Sequence, residues 1–532
     1  MTTRADDGHR RLVPRWRYSG RTILGREHEG DPKAKRRSAP VASNITALHQ
    51  EWQRAHDSQS ARELVLAAVV EERADLAREA AEQILANPRE TAREVIGAAR
   101  FVLGDRAMSQ PHAAANIKTS FEQPFKQARR VIALGRQGLR EYPRNVPRRL
   151  DVARAYAVLG QNDAAWREMR IALALAPDHR VVLRLAVRLL VHLDRREEAH
   201  ALIVRHPRTS VDPWLMATEI ALATIIEETP HSIRAGRLVV AESGLPSGHL
   251  TELASSLGSV DSGSGDHKRA RKLHGLSLQD PNDNVLAQAE WLAQRDYALR
   301  KRLTDARIEL PGSMEAQCHR AVSESRWIDA LGHAYEWHHD EPFSSRPTTA
   351  ASFIAASILQ EYTEAIAIAK AGLRGDPDDA LLLNNLIFAL ARAGRAPEAA
   401  RHLERFATLR RSRVNEFVYV ATRGLVAFET GNPAAGRLDY MEAVRLAQDR
   451  ANRLQVLASW GETELHHQTA LADELYRRVI TAREGVTDPA ALAVADAFAR
   501  TYSLVRSARA LGHAPDGLST TARLPISAAE ET

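Results

Sequence analysis

From Ile45 onward, apolar residues recur at helical rather than strand spacing, divided by short polar stretches marked with Gly or Pro. Intervals of three and four residues put such positions on one face of an α-helix. Residues 61–86 read as two amphipathic helices closed by Asn87-Pro88, 91–104 as a third, and 121–142 as a fourth stopped by Tyr142-Pro143. Proline ends a helix because the residue before it is pushed out of the α region. The stop recurs at Pro177, 34 residues after Pro143, and the same interval separates Ala365 from Ala399. A fixed period of this length predicts stacked helix pairs, each burying its apolar face on its neighbours.

One module is read in detail from "VPRRLDVARAYAVLGQNDAAWREMRIALALAPDH", which places Ala153, Tyr156, Gly160, Ala165, Met169, Ala172 and Pro177. The small residues let two helices approach, Tyr156 and Met169 fill the space between them, and Gly160 serves the turn. A further copy follows with Ala186, Ala199 and Pro207. The later block carries Tyr362, Ala365, Ala369, Gly372 and Pro377, then Leu383, Leu386, Leu390, Gly394, Ala399 and Leu403. A displaced copy has Gly424, Gly431, Gly436, Tyr440 and Ala443.

These positions resemble the signature of the tetratricopeptide repeat family over 146–207 and 346–447, with half-signature matches elsewhere. The resemblance implies an all-α, right-handed α-solenoid of antiparallel helix pairs, a TPR-like superhelix. It also implies that the first helix of each pair lines the concave face, where ligand peptides lie. Carried onto this chain, those positions are Arg154 and Arg184 in the first block, and Asn384, Asn385, Phe388 and Arg392 in the second. Phe353 stands where the family has a small residue, and the early units vary in length, so an irregular superhelix is expected.

Other stretches break the pattern. Residues 1–42 are rich in Gly, Pro and charge and keep no helical stripe, which predicts a disordered basic arm. Residues 258–268, "GSVDSGSGDHK", read as a flexible Gly/Ser loop between an N-terminal repeat region, 43–257, and a C-terminal one, 269–515. The end, 516–532, reads as a flexible tail.

Composition agrees with a helical array: Ala, Leu, Arg and Glu dominate, and aromatics are 5%. The net charge of +6 is uneven. Residues 1–40 carry a local +6 and 126–208 a local +10, so the remainder is net negative. Such asymmetry allows a polyanion surface, with nucleic acid as a second partner class through 126–208.

Catalytic patterns are thin. His338 and His339 are neighbours and diverge by about 100° on a helix, which disfavours a shared metal. The single cysteine, Cys318, builds neither a disulfide nor a Cys-rich zinc site and fits a reducing cytoplasm. The Gly/Ser stretch at 258–268 has its Lys misplaced for a phosphate loop and follows no strand. No HExxH, GxSxG or strand-linked GxGxxG occurs, and no apolar run spans a bilayer. The sequence therefore predicts a non-catalytic, cytoplasmic scaffold without metal or cofactor, binding a protein or peptide partner. A nucleic-acid-binding role, or that of a regulatory subunit beside a separately encoded enzyme, is the alternative.

Overall fold

The computed structural model describes residues 12–16, 45–57, 60–61, 64–65, 68, 74–86, 99 and 117–510, except 295, 307–309, 311 and 410–414. The remainder of the expected basic arm and the expected tail lie outside the described residues. Contacts divide the chain into two compact units. One holds residues 17–112. The other joins residues 1–16 to everything from Ala113 onward.

The smaller unit contains α1 (Ile45–Ala55) and α2 (Ala74–Ala86). Its core is Ile45, Trp52, Leu64, Val65 and Ile84 around small alanines on α2. Trp52 Nε1 donates to Gln83 Oε1 at 3.2 Å, and Gln83 Nε2 donates to the His56 carbonyl at 2.9 Å, which ties the two helices together.

The larger unit is an all-α solenoid of antiparallel helix pairs, with no strand among the described residues. It opens with α3 (Ile117–Glu141), followed by the pairs α4 (Val146–Val158) with α5 (Asn162–Leu175), and α6 (Arg180–His192) with α7 (Arg196–Val204). Next come α8 (Pro213–Ile225) with α9 (Ile233–Glu242), α10 (Ser247–Gly263) with α11 (His267–Ser277), and α12 (Asp283–Ala293) with α13 (Tyr297–Ala306). Then α14 (Met314–Ser323) with α15 (Trp327–Asp340), α16 (Ser345–Phe353) with α17 (Tyr362–Gly375), and α18 (Ala380–Arg392) with α19 (Ala396–Leu409). The last pairs are α20 (Glu416–Glu429) with α21 (Pro433–Leu446), and α22 (Arg450–His466) with α23 (Leu471–Ala482), before α24 (Pro489–Ala510). Most of the even-numbered helices also pack on the next even-numbered one, so they form an inner layer.

Local chemistry fixes where these helices start. Asp212 caps α8, accepting from Trp214 N at 3.0 Å ahead of Pro213 in the first turn. Asp379 and Asp449 cap α18 and α22 in the same way. The turn inside each pair needs one residue in the left-handed region. Gly160, Gly265, Gly394 and Gly431 supply it, but so do Asp194, Glu227, Ser325, Gln360 and Gln468. A non-Gly residue there costs about 1–2 kcal/mol, and packing of the flanking helices outweighs it. This is why several copies lost their glycine signature yet kept the turn.

The stretch 258–268 is corrected. Residues 258–263 are the last turns of α10, and α11 begins at His267. Its small residues serve close packing rather than flexibility. A Cβ on Gly258 would fall 2.9 Å from the His274 ring, and Ser259 Oγ accepts from Gln288 Nε2 on α12 at 3.1 Å. The basic arm is corrected in part: Leu12–Trp16 is buried within the larger unit.

The array also meets itself. Helix α3 packs on α15 and α17, twelve and fourteen helices later, and α4 packs on α17. Phe121 lies 4.4 Å from Tyr335 and 4.9 Å from His338 between ring centroids, and Arg374 sits over Phe125 at 5.3 Å. The array is thus closed across this turn by odd-numbered helices together with α4.

Candidate functional site

The interior bounded by the even-numbered helices holds the densest set of buried charges. At its centre lies Leu12–Trp16, a non-helical segment with every residue buried. Arg15 Nη1 donates to Glu341 Oε2 at 2.5 Å, its Nη2 donates to Glu315, and its Nε lies 3.4 Å from Asp283 Oδ2. Three separate elements supply these carboxylates: the start of α12, the start of α14, and the connection from α15 to α16.

Two further guanidiniums enclose the pocket. Arg188 on α6 approaches Glu341 Oε1 at 3.6 Å, and Arg346 on α16 pairs with Glu315. Withdrawing Arg15 leaves three buried carboxylates facing Arg188 and Arg346. At Glu341, burial alone would raise the pKa, but Arg15 and Arg188 outweigh it, with hydrogen bonds from Trp337 and Arg15, and hold it at about 2.

An aromatic wall adjoins the pocket. Trp16, fully buried, meets Phe343 edge-on at 5.7 Å. Arg188 lies over that ring at 4.7 Å, and His192 meets it at 5.6 Å. Burial, reinforced by Arg188, lowers the His192 pKa to about 3, so it is neutral at pH 7. Arg154 Nε donates to the Trp16 carbonyl at 2.6 Å and its Nη2 donates to the Asp340 carbonyl at 2.7 Å. The Trp16 indole N–H is buried without an acceptor.

The six positions expected to bind a partner lie on first helices, as the resemblance implied. The structure brings one of them, Arg154, to the Leu12–Trp16 segment. Arg184 is turned into the wall, donating to Glu252 Oε2 at 2.5 Å and lying over Trp214 at 4.9 Å. Asn385 is buried and donates to the Thr349 carbonyl at 3.1 Å and to Ser352 Oγ at 3.0 Å. Asn384 is half-buried and accepts from Thr422 Oγ1 at 2.6 Å. Arg392 is buried: it donates to the Ser459 carbonyl at 3.0 Å and to Thr463 Oγ1 at 2.9 Å, with Glu462 at 3.4 Å and Phe388 beneath it at 5.5 Å. Packing between first helices thus takes up Arg184, Asn385 and Arg392 internally, while Asn384 and Phe388 are half-buried.

Of the residues that do form the pocket, only Glu341 was singled out from sequence, in the run His338-His339-Asp340-Glu341; Arg15, Trp16, Arg188, Asp283, Glu315, Phe343 and Arg346 were not. The one local signal was Leu-Val-Pro-Arg-Trp, an apolar and aromatic cluster inside a polar stretch. The arrangement can recognise a cation and an aromatic ring together. Among the described residues no group of three or more His, Cys, Asp or Glu is placed to hold a metal ion. No helix among them is long and apolar enough to cross a membrane. Cys318 is buried.

No family model matches the chain, and no curated protein sequence matches it. Its helical path is similar to three solved structures, each at low identity. The APC/C hetero-tetramer Cut9-Hcn1 gives 13% identity over 87% of this chain and 98% of that one, with a TM-score of 0.41. Yeast Tom70 gives 14% over 83% and 98%, at 0.30. The human IFIT1 dimer with PPP-AAAA gives 12% over 87% and 96%, at 0.32. The assignment of the fold rests on the helix packing described above.

Proposed function

We propose that this protein is a non-catalytic interaction scaffold whose inner helical wall takes up an extended segment of a protein partner. The observation that carries this reading is Leu12–Trp16, held in non-helical form against first helices by ion pairs, an aromatic contact and a carbonyl bond. A wall that orders one non-helical segment has the chemistry to order another. Affinity purification from the native host, with protein and nucleic acid both analysed, tests it. A stoichiometric protein partner is expected; its absence in a sample containing intact scaffold counts against the reading.

A second reading has its own observation. Lys126, Arg129, Arg130, Arg136 and Arg140 share one exposed face of α3, within about a third of the circumference at roughly 100° per residue. Arg144 follows just beyond the helix, and none of the six makes an ion pair among the described residues. Such a stripe suits a phosphate backbone. Affinity for short RNA or DNA would then fall steeply with salt, and Arg129→Glu with Arg136→Glu would flatten that slope by about two phosphate contacts. Salt-insensitive or absent binding eliminates it.

A further inference from the structure

We infer that Leu12–Trp16 is a built-in, displaceable occupant of the Asp283–Glu315–Glu341 pocket, and that this pocket receives a partner's non-helical apolar-Pro-Arg-aromatic segment. The inference deepens the scaffold reading above and rests on it. Three observations point the same way.

The first is charge. Arg15 enters from a stretch remote in sequence and meets all three carboxylates, Asp283, Glu315 and Glu341. A pocket closed by its own helices would need no cation from outside. Here the helices contribute two, and the third arrives on a separate segment. Any segment presenting a guanidinium at the same depth satisfies the same carboxylates, whichever chain carries it.

The second is conformation. Leu12–Trp16 forms neither helix nor strand, so its order comes from the wall it touches. Pro14 limits the conformations available before binding, which lowers the entropy lost on docking. Its Trp16 carbonyl is met by Arg154, a partner-facing position by the family resemblance.

The third is an imperfect fit. The Trp16 indole N–H is buried without an acceptor, which costs on the order of 1–3 kcal/mol. A segment whose ring carries no donor would avoid that cost. The ligand class is therefore a peptide with a guanidinium followed by an aromatic ring, preceded by Pro and apolar residues.

The test uses the full chain with a protease site inserted between Trp16 and Ile45 and cut after folding. A fluorescent peptide of residues 10–18 is titrated into cut and intact protein, with binding read by anisotropy. Cut protein is expected to exchange its segment for the labelled peptide. Intact protein should bind about 100-fold more weakly, if a segment of about 10 μM intrinsic affinity competes at a millimolar effective concentration. Replacing Arg by Ala in the peptide should weaken binding about 30-fold or more, as for truncation of a buried charge pair. The double variant Arg15→Ala, Trp16→Ala in the uncut chain should bind the peptide as the cut protein does.

Equal binding by cut and intact protein overturns the inference. So does a cut segment that never exchanges, or an Ala-substituted peptide that binds like the native one. If a native partner co-purifies but the peptide does not compete with it, the scaffold reading stands and this inference falls. If the peptide exchanges as expected but no protein partner is found, the pocket chemistry stands and the scaffold reading falls.

Discussion

Arg15 shows how burial and charge compete at a single residue. Removing a guanidinium from water costs several kcal/mol, and only well-placed carboxylates offset it. His338 illustrates the opposite outcome. It is buried between Phe121 and Phe125, and neither ring nitrogen makes a well-formed hydrogen bond. Burial foremost, with His339 adding to it, lowers its pKa to about 3 despite a slight opposing effect of the Phe121 backbone. The folded state then binds fewer protons than the unfolded chain between about pH 6.5 and 3, so its contribution is complete above that window and lost as pH falls through it. At about 1.4 kcal/mol per pH unit, dropping from pH 6.5 to 5 should cost roughly 2 kcal/mol through His338 alone. Urea unfolding at both pH values should show that loss, and His338→Leu should reduce it by about this amount. An unchanged pH dependence would mean the ring is hydrated.

At the scale of elements, the recurring question is how closely two helices meet. Between α10 and α11, Gly258 stands against the His274 ring, whose flat face cannot bend away. Read locally, Gly and Ser there signal a flexible loop. Read against a neighbouring helix, they signal contact. Gly258→Ala should therefore destabilise by about 1–3 kcal/mol through overpacking, measured as a shift of the urea midpoint. A loop would tolerate the change. The intra-pair turns teach a related lesson. Gly160 and Gly394 were readable as turn residues, whereas Glu227, Ser325 and Gln360 take the same backbone conformation without announcing it. Tertiary packing imposed the turn against local preference, which is why those copies carry no glycine at the turn.

Over the larger unit as a whole, the solenoid does not remain a chain of nearest-neighbour contacts. It closes where α3 and α4 meet α15 and α17. Gly160 lies at that seam: a Cβ there would sit 2.6 Å from the Arg374 carbonyl oxygen. Gly394 occupies the equivalent turn elsewhere, with nothing within 4 Å of its would-be Cβ. Both Ala variants carry the left-handed strain of about 1–2 kcal/mol. Gly160→Ala should lose about 1–3 kcal/mol more, because it also forces the seam apart. Equal losses in chemical denaturation would show that the seam contributes little.

By itself the sequence determined the helix-pair period, the capped helix starts and the all-α class, because apolar spacing, prolines and N-cap residues act within a few residues of themselves. The family resemblance implied in addition that Arg154 and the other five positions lie on first helices, where the structure has them. The sequence did not show that Arg184, Asn385 and Arg392 would be taken up by Glu252, Thr349 and Ser459, or that Asp283, Glu315 and Glu341 would converge. Those three carboxylates are spread over 59 positions of chain and meet Arg15 only because the inner wall curves back on itself. Pairing between residues so far apart depends on the accumulated geometry of many helix crossings, to which local spacing is blind. Tertiary structure alone turned a stretch with the composition of a disordered arm into the occupant of the interior.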